Sequence, residues 1–262
     1  MRQSRFSQEL LAGTLPLQWA PTTLVSDDPA KVLSEAAKED LMLSQLAPII
    51  GKPEHFLELV SPYFVPTKTG VEAFARLRDQ GVRVRILTNS LEATDVAMVH
   101  AGYEKYRKPL LEKGVELYEM RREVDLQPQS TTARVASKVR AEEKREPPSP
   151  ATLSGSSATG SSGASLHAKT FAVDGQHLFV GSFNFDPRSA MLNTELGVVI
   201  RHPEMARQIT TALDQHLPRM AYKVELDQKQ KLHWSGLNPR PPHEPQSFGT
   251  DPGTSWFKQL LV

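Results

Sequence analysis

The 262-residue chain contains no cysteine, which excludes disulfides and thiolate metal sites without identifying a compartment. No run approaches the roughly 20 apolar residues needed to span a bilayer. Residues 1–21 lack a continuous apolar stretch and a cleavage site, so no signal peptide is expected. A formal net charge of +1 gives no basic surplus, so bulk electrostatics do not nominate nucleic acid as the partner. His, Asp and Glu never fall at zincin spacing, and no metal or other cofactor is expected. The stretch GSSATGSSG (155–163) is not followed by Gly-Lys-Ser/Thr, so it reads as linker and not as a phosphate loop.

What is present is an alternation of strand and helix patterns. HFLELVSPYF (55–64) reads as a buried strand, and TKTGVEAFARLRDQG (67–81) as a helix stopped by Gly81. VRVRILT (82–88) alternates as a strand. Residues 90–114 carry helical repeats that Pro109 is expected to break or restart, and VELYEM (115–120) is a further strand. This order predicts an α/β fold, a mixed sheet flanked by helices. Residues 127–165 hold no aromatic residue and are dominated by Ser, Pro, Gly, Ala and charges, which predicts a disordered insert. Beyond it, HAKTFAVDG (167–175) and HLFVGS (177–182) read as a hairpin turning at Asp174-Gly175. TELGVVI (194–200) is a strand, 203–217 a helix, 222–235 a terminal hairpin and 254–261 a short last helix. Residues 1–35 show strand-like and turn-like pieces without a strong period.

The chemistry is concentrated in the 167–195 stretch. On a strand, residues i and i+2 share a face, which would set the His167 imidazole and the Lys169 ammonium side by side, with Ser182 and Asn184 repeating the spacing nearby. A titratable nitrogen, a fixed positive charge, a hydroxyl and an amide suit a phosphate: Lys169, Ser182 and Asn184 would bind its oxygens, and His167 would attack phosphorus or move a proton. Glu195 is a candidate to accept a hydrogen bond from the other imidazole nitrogen. Asp174 either begins the turn or holds a charge partner. Taken alone, His167 reads equally well as a polar residue on the solvent face of a hairpin. His100 reads as a helix-surface or packing residue, Trp19, Trp234 and Trp256 as packing residues, Arg188 as a salt-bridge partner with phosphate contact open to it, and Arg121 and Arg122 as a solvated pair ahead of the insert.

The full string His167-x-Lys169, four residues, Asp174, six residues, Gly181-Ser182-x-Asn184 resembles the HKD motif of the phospholipase D superfamily. SPYFVPT (61–67), ILTNSL (86–91), HAGYEKYR (100–107), GVELYE (114–119) and FDPRSAMLNTELGVVI (185–200) are similar to the second half of bacterial cardiolipin synthases and their relatives. LVSDDPAK (24–31) is similar to the segment preceding that half. The resemblance implies one lobe of the phospholipase D fold over residues 54–262, with 1–53 a partial segment from a first half. It implies that His167, Lys169, Asp174 and Glu195 are catalytic and that Lys169, Ser182 and Asn184 hold the substrate phosphate.

In this superfamily two HKD motifs meet at one site. One histidine attacks the phosphodiester to give a phosphohistidine, and the other protonates the leaving alcohol. His55, His100, His177, His202, His216, His233 and His243 lack a lysine two residues on, so the chain holds one motif. Three readings follow. The chain is half of a phosphatidyltransferase taking a phospholipid substrate and an alcohol acceptor, its second half supplied elsewhere. Or it is a single-motif phosphodiesterase or nuclease that works as a homodimer, with nucleic acid disfavoured by the charge. Or it is a silent fragment. The expected location is cytoplasmic or peripheral to the bacterial inner membrane.

Overall fold

The computed structural model describes residues 5–15, 17–122 and 165–254. Its framework is one ten-stranded mixed sheet in the order β1-β7-β6-β5-β2-β3-β4-β8-β9-β10. The centre is parallel: β2 (Phe56–Val60), β3 (Arg83–Asn89) and β4 (Glu116–Met120) run side by side. Such strands need crossovers, and α3 (Thr67–Asp79) and α4 (Ala97–Glu112) provide them. To one side β5 (Thr170–Val173), β6 (His177–Gly181) and β7 (Leu196–Arg201) add antiparallel. On the other side β8 (Ala221–Leu226), β9 (Leu232–Leu237) and β10 (Pro245–Phe248) continue the sheet.

The edge beside β7 is β1 (Thr22–Ser26), paired antiparallel along its whole length. The segment expected to stand ahead of the lobe therefore supplies a strand to it. Two 3-10 turns (Pro29–Leu33, Lys38–Asp40) and α2 (Met42–Ile50) follow, and Met42 and Leu46 pack with Val25, Phe179 and Val199. The periodicity of 1–35 gives little sign of this, because only Val25 of the strand is buried. The short helix α1 (Arg5–Leu11) precedes it.

Alternation along each strand divides the residues between two layers. Leu59, Val84, Ile86, Leu117, Val224 and Trp234 meet Phe74 of α3 and Tyr103 and Leu110 of α4 in the main core. The opposite face carries Val60, Leu87, Met120 and Ala221, covered by Leu213 and Leu217 of α6 (Pro203–Met220). Pro109 neither breaks nor restarts α4, which runs unbroken as Leu110 packs fully buried beside it. Pro109 lies in the last turn, where the helix has few further hydrogen bonds to lose.

The hairpin at Asp174-Gly175 forms as expected, both residues at positive φ (51° and 59°), with the Gln176 N–H donating to the Val173 carbonyl at 3.0 Å. The insert expected over 127–165 lies outside the described residues, Ser165 excepted, as do Trp256 and all but Thr254 of the helix expected at 254–261. Trp234 is a packing residue at 3 % exposure, whereas Trp19 is 90 % exposed and packs against little.

Candidate active site at the carboxyl rim of the sheet

The site gathers where β2 and β3 end and β5 begins, the rim at which open α/β sheets take ligands. His167 and Lys169 do not lie on a strand, as their spacing predicts. They form an extended approach to β5, with His167 exposed and Lys169 half-buried. The Lys169 ammonium folds back to donate to the His167 carbonyl at 3.1 Å. Burial lowers the Lys169 pKa, opposed by the charges of Glu195 and Asp95, which places both carboxylates within electrostatic reach of the ammonium.

The approach segment is pinned by a residue that motif reading does not reach. Asn89, 2 % exposed at the end of β3, accepts the Leu166 N–H at 3.0 Å and donates to the Leu166 carbonyl at 3.2 Å. Its side-chain amide thus behaves as one further residue of strand pairing, one position ahead of His167. The signal in the sequence is an amide closing a strand whose ILT run precedes it, RVRILTN.

Ser182 and Asn184 follow β6. Gly181 before them is required by close approach: a Cβ there would lie 2.5 Å from the Leu196 carbonyl oxygen. The Ser182 N–H donates to that carbonyl at 2.9 Å, and its hydroxyl donates to the Glu195 carboxylate while accepting the Leu196 N–H at 3.1 Å. Asn184 leaves its Oδ1 buried without a hydrogen-bond partner among the described residues. That acceptor is open to a donor on a bound group.

Glu195 is 6 % exposed. Its carboxylate takes hydrogen bonds from Ser182 and, at 3.4 Å, from the Asn193 amide. Among the described residues it makes none with His167, whose ring is exposed and unbonded, so the expected imidazole–Glu195 bond is not formed in this arrangement. The backbone of Glu195 is held instead by Asp27, which sits in a buried ion pair with Lys31 (2.6 Å). The Lys31 ammonium also donates to the Ser189 carbonyl at 2.8 Å, next to α5 (Pro187–Met191). Asp27 and Lys31 come from DDPAK, in the segment ahead of the lobe, and no local pattern links them to a glutamate 168 positions away.

Asp174 is not brought to the site. It lies beyond the far end of β5 from Lys169, five residues or about 16 Å along an extended chain. Its carboxylate accepts three backbone N–H bonds, from Glu54 (2.9 Å), His55 (2.7 Å) and Phe56 (2.8 Å). Burial raises its pKa, and these three bonds outweigh that and hold it below the usual aspartate value. Asp174 is a strut joining the β5–β6 turn to the start of β2. Arg188 bonds Asn193 through its Nε at 3.2 Å and makes no salt bridge among the described residues.

Two further groups line the rim. The Tyr63 hydroxyl donates to Asp95 at 2.9 Å, and its pKa is pushed up to about 12 by burial and by that carboxylate. His100 is a packing residue, as expected. It is 3 % exposed and edge-on to Tyr103, with its Nε2 against Arg107 (2.6 Å) and Asp251 (3.2 Å). His100, Glu104 and Asp251 could present three ligand atoms within 4.8 Å of one another, but the Arg107 guanidinium already neutralises Asp251 at 2.7 Å.

The family model described as cardiolipin synthase, PLD-like domain, matches residues 46–217. The chain belongs to this phospholipase D-like family. The match runs from within α2 to within α6 and so includes the rim around His167. Cardiolipin synthase C of Escherichia coli is 42 % identical over 262 residues, all of this chain and 50 % of that protein. Cardiolipin synthase A of Yersinia pseudotuberculosis is 24 % identical over 183 residues, 70 % of this chain and 29 % of that protein. The chain thus spans half or less of these cardiolipin synthases. The crystal structure of phosphatidylserine synthase from Haemophilus influenzae shares the fold, with a TM-score of 0.50 at 16 % identity, covering 80 % of this chain and 41 % of that one. The phospholipase D-like lobe is a mixed sheet flanked by helices, as its sequence predicts. No helix of the described residues is long and apolar enough to cross a membrane.

Proposed function

We propose that the chain is one catalytic lobe of a phosphatidyltransferase of the cardiolipin synthase type, transferring a phosphatidyl group from a phospholipid to an alcohol through a phosphohistidine. His167 contributes one of the two histidine functions, which we assign as the acid/base. It protonates the leaving alcohol, then takes the proton of the incoming one. Lys169 and the Asn184 amide N–H hold the phosphate oxygens and stabilise the charge of the transition state, joined by Ser182 when its one hydroxyl proton turns from Glu195 to phosphate. Glu195 fixes Ser182 and lends its negative charge to Lys169. No metal is needed for these steps.

The observation that carries this reading is the half-site itself: an exposed histidine, a partly desolvated lysine and a Ser182–Glu195 pair gathered on one rim, with a single His-x-Lys in the sequence. The second histidine then comes from another lobe of a longer polypeptide or from a second copy of this one. An apolar patch supports such a covering lobe. Leu24, Val180 and Leu196 on adjacent strands β1, β6 and β7 are 68 %, 43 % and 57 % exposed, beside the half-site. Exposed apolar surface of this kind marks contact with a partner. Association with the membrane is then peripheral, through the lipid substrate.

The test is product analysis by mass spectrometry with phosphatidylglycerol vesicles and a second alcohol-bearing lipid. The chain is assayed alone and with a lobe bearing the other His-x-Lys. New phosphatidyl ester should form only when two motifs are present and should vanish in His167→Ala. Ester formation that survives His167→Ala sinks the assignment. A stable dimer active without any second lobe would replace the two-lobe reading by the homodimer.

A further inference from the structure

Among the described residues three arginines are almost wholly buried, and two of them are neutralised. Arg85 meets Glu58 and Asp214, and Arg107 meets Glu119 and Asp251. Arg121, which follows β4 and is 1 % exposed, has no carboxylate within ion-pair distance among the described residues. The expectation of a solvated arginine pair ahead of the insert fails for it. Its guanidinium lies 4.2 Å from the Tyr222 ring centre, and its Nη1 donates to the Gln246 Oε1 at 3.0 Å. Nε and Nη2 are buried without partners among the described residues. The fold makes room for it at Gly236, where a Cβ would lie 2.2 Å from Nη2. A buried cation without a counter-charge is costly, so a seat built around one calls for an anion.

A cleft of about 790 Å³ opens beside it, lined among others by Glu92, Arg121, Arg122, Tyr222, Arg240 and Gln246. These residues follow or belong to β4, β8, β9 and β10 and the loop after β3, at the same rim as His167 but on the other wing of the sheet. Glu92 acts on Arg121 only as a charge on the same cleft and forms no ion pair with it; its Oε1 accepts the Tyr222 hydroxyl at 3.0 Å and the Arg122 N–H at 3.3 Å. We propose that this cleft is a second anion site that binds a phosphate group, with Arg121 as its buried charge and Arg122 and Arg240 as its mouth. Guanidinium groups suit the oxygens of phosphate, which they meet in paired hydrogen bonds. The anion site stands independently of the half-site. Only a lipid source for its phosphate rests on the proposed transferase activity.

The probes are inorganic phosphate and dioctanoyl phosphatidylglycerol below its micelle concentration, titrated into the His167→Ala chain, so that nothing turns over, and followed by backbone amide NMR. Saturable shifts are expected at Arg121, Tyr222 and Gln246. Arg122→Gln with Arg240→Gln, both exposed positions, should weaken binding about tenfold, the lower end of what a charge-assisted hydrogen bond contributes. Circular dichroism checks that this variant folds. Lipid binding tighter than phosphate identifies a headgroup as the source, and equal or weaker lipid binding identifies free phosphate. Shifts confined to residues 165–184 and 195, no phosphate binding, or affinity within twofold of the parent in the double variant would each overturn the site. Failure of the transferase reading shows elsewhere, as ester formation that survives His167→Ala.

Discussion

Asp27 and Glu195 are tied together twice: the Asp27 N–H donates to the Glu195 carbonyl and the Glu195 N–H to the Asp27 carboxylate, both at 2.8 Å. The same carboxylate accepts the Met42 N–H at 2.8 Å at the start of α2 and pairs with the buried Lys31 ammonium. One side chain from the edge strand's exit thereby sets the backbone that aims Glu195 at Ser182.

Asp27→Ala removes the carboxylate's bonds to Glu195, Met42 and Lys31, keeps the backbone bond to the Glu195 carbonyl, and leaves the Lys31 ammonium buried without its counter-charge. The expected cost is about 3–5 kcal/mol, the range for breaking a buried ion pair from one side. Urea unfolding measures it. The double variant Asp27→Asn, Lys31→Met should recover much of the loss, because no uncompensated charge remains. Equal destabilisation of the single and double variants would show that the pair's charge is not what matters.

Asn89→Ala tests the clamp on Leu166. The fold should survive with a loss of about 1–3 kcal/mol for the buried Leu166 groups left unpaired. Ester formation in the two-lobe enzyme should fall further than that loss of folded protein explains, because the segment carrying His167 is no longer held. Turnover unchanged per folded molecule would mean that β5 alone positions His167.

Lys169 carries its lowered pKa into the activity. The alkaline limb of the pH–rate profile of ester formation should fall below 10.5, the ordinary lysine value, since burial disfavours the charged form needed to bind phosphate. Lys169→Arg should carry this limb to higher pH, and Lys169→Ala should lower the rate by about 10²–10⁴-fold, the range for a directly participating group. A limb that stays in place in Lys169→Arg would assign it to another residue.

Asp174, although part of the motif, should act on stability and not on chemistry. Its folded pKa lies below 3.8. Its contribution is therefore fully present above the unfolded value and is lost as the pH falls through the folded one. The difference in melting temperature between the parent and Asp174→Asn should be constant near neutrality and shrink below about pH 4. Asp174→Asn should keep most of its turnover per folded molecule. A selective loss of turnover at full stability would return Asp174 to the reaction.

The central βαβαβ run was legible because apolar residues recur through each strand and each helix repeats every three to four residues, signals that survive without neighbours. The half-site was legible for a different reason: His167, Lys169, Ser182 and Asn184 lie within 18 positions, and their spacing carries the family's chemistry. The sequence by itself determined the α/β class, the hairpin at Asp174-Gly175 and the HKD motif that nominates the candidate site. It did not reveal that β1 closes the edge of the sheet, since four of its five residues are exposed and their pairing with β7 is a contact across more than 170 positions. Only the tertiary structure decided that Asp174 is a strut, that Asn89 and Asp27 hold the site from remote segments, and that Arg121 is buried with no ion-pair partner among the described residues. Each depends on which groups share a small volume, and distance in space is not written in the spacing of residues along the chain.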